Sequence, residues 1–419
     1  MTEESVNPMS RKVVVTGMGV VSPIGIGLDN YWNALLEGRN GIDRVACFDP
    51  TEYASQMAAE IKDFDPIAVL DKKEQKRMDR FVQYAIVAAD QAVKDANLDL
   101  DAVEKERFGV ILGSGIGGIQ TFENQIKVLA EKGPKRVSPF LVPMMIGNMA
   151  SGNVSIFLGA KGVNYVITTA CASANHALGE SMRAIQDGIA DIIVTGGTEA
   201  AITPLTYAGF TSMKAFSRRN EDPKTACRPF NGDRDGFVIG EGAGLIVLES
   251  EEHAKARGAR IYGELAGYGA TADANHITAP APEGEGAQRA MKIALATAGL
   301  NTTDINYINA HGTSTPLNDK FEIQAIKGVY GKHAYDLKIS STKSMHGHLL
   351  GAAAAIEFIA ATKAVYHDIV PPTINQITPD PELDLDFIPE KPQNHKVNAA
   401  MSNSLGFGGH NAVVVVKKY

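Results

Sequence analysis

The sequence predicts an α/β fold with mostly parallel sheets, and three observations carry that prediction. Short apolar runs of strand type alternate with segments of helical periodicity along the whole chain. One pattern, a strand, then a reactive residue, then a small-residue helix, occurs twice, at Cys171 and at His348. Cysteine and histidine side chains fall just past strand ends, where α/β folds build their sites.

The elements follow in order. Residues 1–10, MTEESVNPMS, are polar and acidic, lack the basic and apolar regions of a signal peptide, and read as a short disordered tail. Residues 12–16 (KVVVT) are a buried-type strand, and Asn30 is placed to cap a helix through 31–36. Residues 70–80, LDKKEQKRMDR, are densely charged and net positive. They read as a solvated helix face and as the best local patch for an anionic partner. Apolar residues recur at helical spacing from 81 to 97, and 108–114 is a strand.

Gly113 to Gly118 (GSGIGG) then match G-x-G-x-x-G literally. The dinucleotide fingerprint also expects an acidic residue ending a second strand about 20 residues on. That position falls in EKGPKR, with no strand before it. The glycines read instead as a place where backbone approaches another segment, with Ile116 the one bulky side chain there.

Asn164 to Ile167 is the strand before Cys171, and a small-residue helix follows the thiol. A thiol at a helix start sits among unpaired N–H groups at the positive end of the dipole, which lowers its pKa and favours the thiolate. Strands follow at 191–197, 242–249 and 261–269, and 286–298 has helical periodicity. A strand at 305–310 runs into His311-Gly312-Thr313-Ser314-Thr315, and one at 337–342 into Lys343-Ser344-Met345-His346-Gly347-His348. The helix 349–361 is nearly all apolar but contains Glu357. The last strands surround Ser402 to Asn411 and close with 413–416. Both small-residue helices read as buried on all sides. Two similar halves, 11–260 and 261–419, would then meet with their central helices back to back.

Composition narrows the function class. The 419 residues are 44% hydrophobic and 21% charged, ample for two core-sized units. A net charge of −8 shows no nucleic-acid footprint and no membrane attraction. Three scattered cysteines form neither a disulfide framework nor a zinc motif, and they fit a reducing cytoplasm.

A thiolate with two imidazoles, Cys171 with His311 and His348, suits chemistry on a carbonyl. The thiol takes an acyl group, and the histidines donate hydrogen bonds to developing negative charge. His176 lies five residues after Cys171 on the same helix, about 140° around, and cannot face the thiol. His346 points elsewhere, and His410 reads as structural. Glu357 is costly to bury unless paired. Lys343 is the nearest candidate partner, and Asp319 a second acid in the same buried network. An amide of the Gly406-Phe407-Gly408-Gly409 loop, with that of Cys171, could form an oxyanion hole.

Four motifs, TACASA, NAHGTSTPLND, STKSMHGHLLGAA and NSLGFGGHN, together resemble the β-ketoacyl-acyl-carrier-protein synthases, most closely the type II elongating condensing enzymes. The resemblance covers essentially the whole chain after residue 10. It implies the thiolase-like fold, five α-β-α-β-α layers with an internal pseudo-twofold repeat, usually as a homodimer. It implies decarboxylative condensation of malonyl-carrier protein with an acyl chain on Cys171, with His311 and His348 serving the malonyl partner. By position, Phe407 matches the second oxyanion amide and a gate residue, and Lys343 and Glu357 a supporting charged pair. Thr313 and Thr315 match the threonines that hold the pantetheine arm, and Ile116 the residue gating acyl depth. Lys76 and Arg77 match residues that dock acyl carrier protein. No cofactor is required. A structural monovalent cation near Asn309, Glu357, Ser402 and Asn403 occurs in some relatives. His346 departs from the threonine usual there, which puts local hydrogen bonding in question.

Two other activities are weighed. A degradative thiolase working on acyl-CoA needs a second catalytic cysteine in the C-terminal glycine-rich loop, where this chain has His410-Asn411. A nicotinamide-dinucleotide oxidoreductase rests only on Gly113 to Gly118.

Overall fold

The structure is a computed structural model, and it describes residues 11–419. The tail 1–10 lies outside the described residues. Ten strands define the architecture. The first five are β1 (Val13–Ser22), β2 (Phe108–Gly113), β3 (Asn164–Ile167), β4 (Ile192–Glu199) and β5 (Gly242–Ser250). The second five are β6 (Gly263–Ala272), β7 (Tyr307–Asn309), β8 (Lys338–Ser340), β9 (Ala399–Gly406) and β10 (His410–Lys417).

Their spatial order is β8-β7-β9-β10-β6-β1-β5-β4-β2-β3. Read outward from the centre, the two halves have the same order. In each, the second strand runs parallel to the third and fourth. The fifth runs antiparallel to the fourth and to the first. The repeat in sequence pattern is therefore a repeat in topology. The two first strands join antiparallel, Val14 opposite Glu264 and Val15 opposite Gly263. The expectation of mostly parallel sheets is corrected: each half is mixed, because its fifth strand turns back beside the first instead of crossing over a helix.

Three apolar cores separate the layers. The central one packs α3 (Ser173–Gln186) and α6 (Ala353–His367) between the two halves of the sheet. An outer core lies under α1 (Arg80–Asp95) and α2 (Met149–Leu158). The other lies under α4 (Glu285–Ala298) and α5 (Pro316–Tyr330). Helix, sheet, helix, sheet, helix is the five-layer arrangement expected. The central helices touch each other. Helix α6 is buried on every side from Ala353 to Val365. Helix α3 is not: Arg183 is exposed on it, ion-paired to Glu180 and lying over the ring of Tyr268, 4.8 Å away. Most of it, including Ala174, Leu178, Met182 and Ile185, is buried, and the side carrying Glu180 and Arg183 is not.

Local signals explain smaller shifts. The first long helix starts at Leu28 after Gly27, so Asn30 lies in its first turn and bonds back to Ile26 O. The charged stretch 70–80 is broken in two. Asp71 caps a four-residue helix through a capping box, and Asp79 caps α1. The apolar helix near His348 begins as a 3-10 turn, Leu350–Ala352.

Candidate active site

Loops from both halves converge where β2, β3 and β4 end opposite β7, β8 and β9. Cys171 lies between β3 and α3 on a tight turn that holds Ala170 at φ 49°, a left-handed conformation alanine rarely adopts. The Ser173 hydroxyl fastens the turn, accepting from Thr169 N–H at 2.9 Å and donating to Ala170 O at 2.6 Å. From the other half, the Ser404 hydroxyl donates to Cys171 O at 2.7 Å. A Cβ on Gly406 would stand 2.8 Å from Thr169 O and 3.2 Å from Cys171 N, so only glycine lets β9 come this close. The backbone N–H of the next residue, Phe407, is near enough to Cys171 to draw its pKa down.

His348 Nε2 lies 3.0 Å from Cys171 Sγ, and the His311 ring stands edge-on to His348 with centroids 5.4 Å apart. Both rings are 3% exposed or less. Cys171, His311 and His348 bring ligating atoms within 4.8 Å of one another, the spacing of a metal triad. A zinc ion holding sulfur at ~2.3 Å and nitrogen at ~2.0 Å would set those two ligands about 3.5 Å apart. The observed 3.0 Å is the separation of a direct S–H···N contact.

Electrostatics correct one sequence expectation. Burial pushes the Cys171 thiol up, to about 12; Lys343 and the Phe407 N–H pull it down without prevailing. The resting sulfur is a thiol, because the helix start is enclosed in apolar surroundings. Burial first, and Lys343 second, hold His311 and His348 well below the usual imidazole value, so both are neutral at pH 7. A neutral thiol against a neutral imidazole is a self-consistent resting pair.

Lys343 and Glu357 are fully buried, with Nζ and Oε1 2.5 Å apart. Apart from this ion pair, neither Glu357 oxygen has a hydrogen-bonding partner. Burial raises the Glu357 carboxyl against the pull of Lys343. Asn309 Oδ1, Asn403 Oδ1 and Ser402 Oγ are likewise buried without partners. Asp319 does not join this network. It faces Arg234 at 3.6 Å and accepts from Phe230 N–H at 2.9 Å.

A cavity of about 570 Å³ opens onto the triad, with Ile116, Thr313, Thr315 and Phe407 in its walls. Thr313 and Thr315 share a hydrogen bond of 2.9 Å. Lys76 and Arg77 lie outside it on the exposed surface, Arg77 over the ring of Phe140 at 5.0 Å. His176 turns away from the thiol to Thr169 Oγ1, 2.8 Å away. His346 is buried, with Nε2 3.0 Å from Thr342 Oγ1 and Nδ1 2.8 Å from Gly347 O. The unusual histidine thus finds partners inside its own turn and leaves His348 free.

Sequence reasoning missed two buried acids. Glu322, on α5, accepts from the N–H groups of His311 and Gly312, both at 2.8 Å, and so fixes the His311 loop. Glu199, at the end of β4, accepts from Gly115 N–H at 2.7 Å and Ile116 N–H at 3.1 Å. A carboxylate closing the apolar run DIIVTGGTE was the available signal for Glu199. Its bonds also dispose of the dinucleotide reading, since amides a phosphate would need are already engaged.

Comparison with known proteins agrees with this geometry. Residues 10–254 match the profile "Beta-ketoacyl synthase, N-terminal domain", and residues 262–376 match "Beta-ketoacyl synthase, C-terminal domain". The chain is 53% identical over 413 residues to 3-oxoacyl-[acyl-carrier-protein] synthase 2 of Synechocystis sp., covering 99% of each. It is 55% identical over 410 residues to the Staphylococcus aureus (strain COL) protein of the same name, covering 98% of this chain and 99% of that one. Among solved structures, the ishigamide ketosynthase/chain length factor superposes with a TM-score of 0.92 at 36% identity, covering 98% of this chain and 100% of that one. A type II PKS ketosynthase, in complex with its acyl-carrier protein and bound to the hexaketide, gives a TM-score of 0.91 at 36% identity, with the same coverage. Matches running through both halves, and relatives more than half identical from end to end, show that the chain belongs to the beta-ketoacyl synthase family.

Proposed function

We propose that the chain is an elongating β-ketoacyl-acyl-carrier-protein synthase of fatty-acid synthesis, working in the cytoplasm. It joins a Cys171-bound acyl chain to malonyl-carrier protein with loss of carbon dioxide. The observation that carries this reading is one thiol in contact with one neutral imidazole, a second imidazole beside it, at the wall of a single cavity.

The half 11–260 supplies the nucleophile and 261–419 the histidines. The Cys171 sulfur attacks the acyl thioester while its proton passes to His348 Nε2. The carrier's thiol leaves with that proton. The Cys171 and Phe407 amides stabilise the tetrahedral oxyanion. Malonyl-carrier protein then enters past Thr313 and Thr315. Its C–C bond to the carboxylate breaks, carbon dioxide departs, and the electron pair forms an enolate whose oxygen takes hydrogen bonds from His311 and from His348, the latter now in the tautomer that carries its proton on Nε2. The enolate carbon attacks the acyl carbonyl. The bond from that carbonyl carbon to Cys171 Sγ breaks with its electron pair going to sulfur, and the thiolate takes up a proton from solvent to restore the resting thiol. The product carries a β-keto group and two more carbons. Lys343 and Glu357 support both histidines, and Ile116 limits how deep the chain enters. Lys76 and Arg77 present positive charge to an acidic carrier protein.

The contact with sulfur divides the histidine roles unevenly. His311→Ala is expected to slow malonyl decarboxylation by about 10²-fold or more while leaving acylation of Cys171 nearly intact. His348→Ala is expected to slow both. Separate assays of carbon dioxide release and of the acyl-enzyme would decide. Acylation lost equally in both variants would sink the assignment.

Two further parts of the proposal concern assembly. Strand β3 is an edge strand, and the exposed Phe122, Ile126, Leu129 and Tyr165 lie on it and on the helix Ile119–Lys132. A second copy of the chain would cover them. The partnerless oxygens of Asn309, Glu357, Ser402 and Asn403 suit a monovalent cation. Native mass spectrometry reads both, with an expected mass twice that of the 44.6 kDa chain and one cation per chain.

A further inference from the structure

We propose that Glu199 is a positioning residue that sets the acyl-chain preference of this site, resting on the condensing-enzyme reading above. Its carboxylate ties together two segments distant in sequence. One is the loop after β2 that carries Ile116; the other is the turn Leu350–Ala352 that follows His348. Oε2 accepts from Gly115 N–H at 2.7 Å and Gly351 N–H at 3.0 Å. Oε1 accepts from Ile116 N–H at 3.1 Å and the Ser114 hydroxyl at 3.4 Å.

Every one of these groups is a donor, so only an acid with two accepting oxygens satisfies them all. The two glycines face each other across the clamp. A Cβ on Gly351 would stand 2.2 Å from Gly115 N and 2.7 Å from Glu199 Oε2. A Cβ on Gly115 would stand 2.8 Å from the same oxygen. The spacing between the segments is thus set by backbone packed against one carboxylate. Ile116 and Leu350, held by these two segments, both line the cavity beside Cys171. Glu199 is itself fully buried, and burial raises its pKa to about 7 against the backbone N–H groups that favour the charged form. It touches no reacting atom; it acts through the walls.

Glu199→Gln keeps the size but turns an NH2 toward one pair of these donors. The purified full chain and this variant are each incubated with short- and long-chain acyl-carrier proteins, and acyl-Cys171 is followed by mass spectrometry. Malonyl decarboxylation is measured alongside. The expected result is a fall of about tenfold in the long-to-short ratio of acylation rates, with decarboxylation within about twofold of the parent. An unchanged ratio overturns the proposal, and so does an equal loss of acylation and decarboxylation, which marks a merely structural acid. If the amide variant does not fold, Glu199→Asp, which keeps the charge but withdraws it by one methylene, is read by the same criteria. If the parent chain itself never becomes acylated on Cys171, the condensing-enzyme reading fails instead.

Discussion

Cys171→Ala is expected to lower condensation by roughly four orders of magnitude or more, the scale seen when a nucleophile is removed. No acyl-enzyme can form, and nothing else stands in for the sulfur. Among the described residues, Cys227 is the other buried thiol, and its Sγ lies 3.1 Å from Lys343 O. It does not line the cavity. Carbon dioxide release from malonyl-carrier protein should persist, because the alanine leaves His311 and His348 in place. Condensation product and carbon dioxide are measured on the same sample. Elongation by the purified variant would refute the nucleophile assignment.

Lys343→Ala is expected to cost about 3–5 kcal/mol of stability, because it leaves the Glu357 carboxylate buried without a counter-charge. The pH dependence has a definite sign. Burial already raises the Glu357 pKa in the folded state, and removing Lys343 removes the interaction that opposes this. A raised carboxyl contributes stability below its unfolded value and loses that contribution as pH rises through its folded value. The variant's deficit should therefore grow from acid toward alkaline pH. Denaturant midpoints across that range test it. Lys343→Met combined with Glu357→Gln should recover most of the stability, since an apolar replacement of a buried pair is often neutral. Activity should stay low in the double variant. The Lys343 charge also bears on Cys171, His311 and His348, and no neutral pair supplies it.

Much of the site was legible before any coordinates. Cys171, His311 and His348 each end an apolar strand in the sequence, and the structure brings the three together. Lys343 and Glu357 were pairable on cost alone, because the run AAAAIEFIA offers a carboxylate no polar neighbour. Asp319 was placed with them as a second acid of one buried network, while the fold sets it against Arg234 instead. The glycine-rich loop after β2 was read correctly as a close approach of backbone. What it approaches could not be known, since Gly351 lies more than two hundred residues away and Glu199 reaches both from a third strand.

The sequence by itself determined the class of fold, the doubling of its pattern and the residues able to do the chemistry. These are local properties: strand and helix periodicity, small residues in helices, and side-chain type at strand ends. Tertiary structure alone decided the mixed direction of the sheets, the protonation of the thiol and the clamp at Glu199. Each of those depends on what surrounds a group in space. A helix start favours a thiolate when water can reach it, but the turn that carries Cys171 lies under loops from both halves. There the loss of hydration outweighs the pull of Lys343 and of the Phe407 N–H, and the thiol's pKa is pushed up.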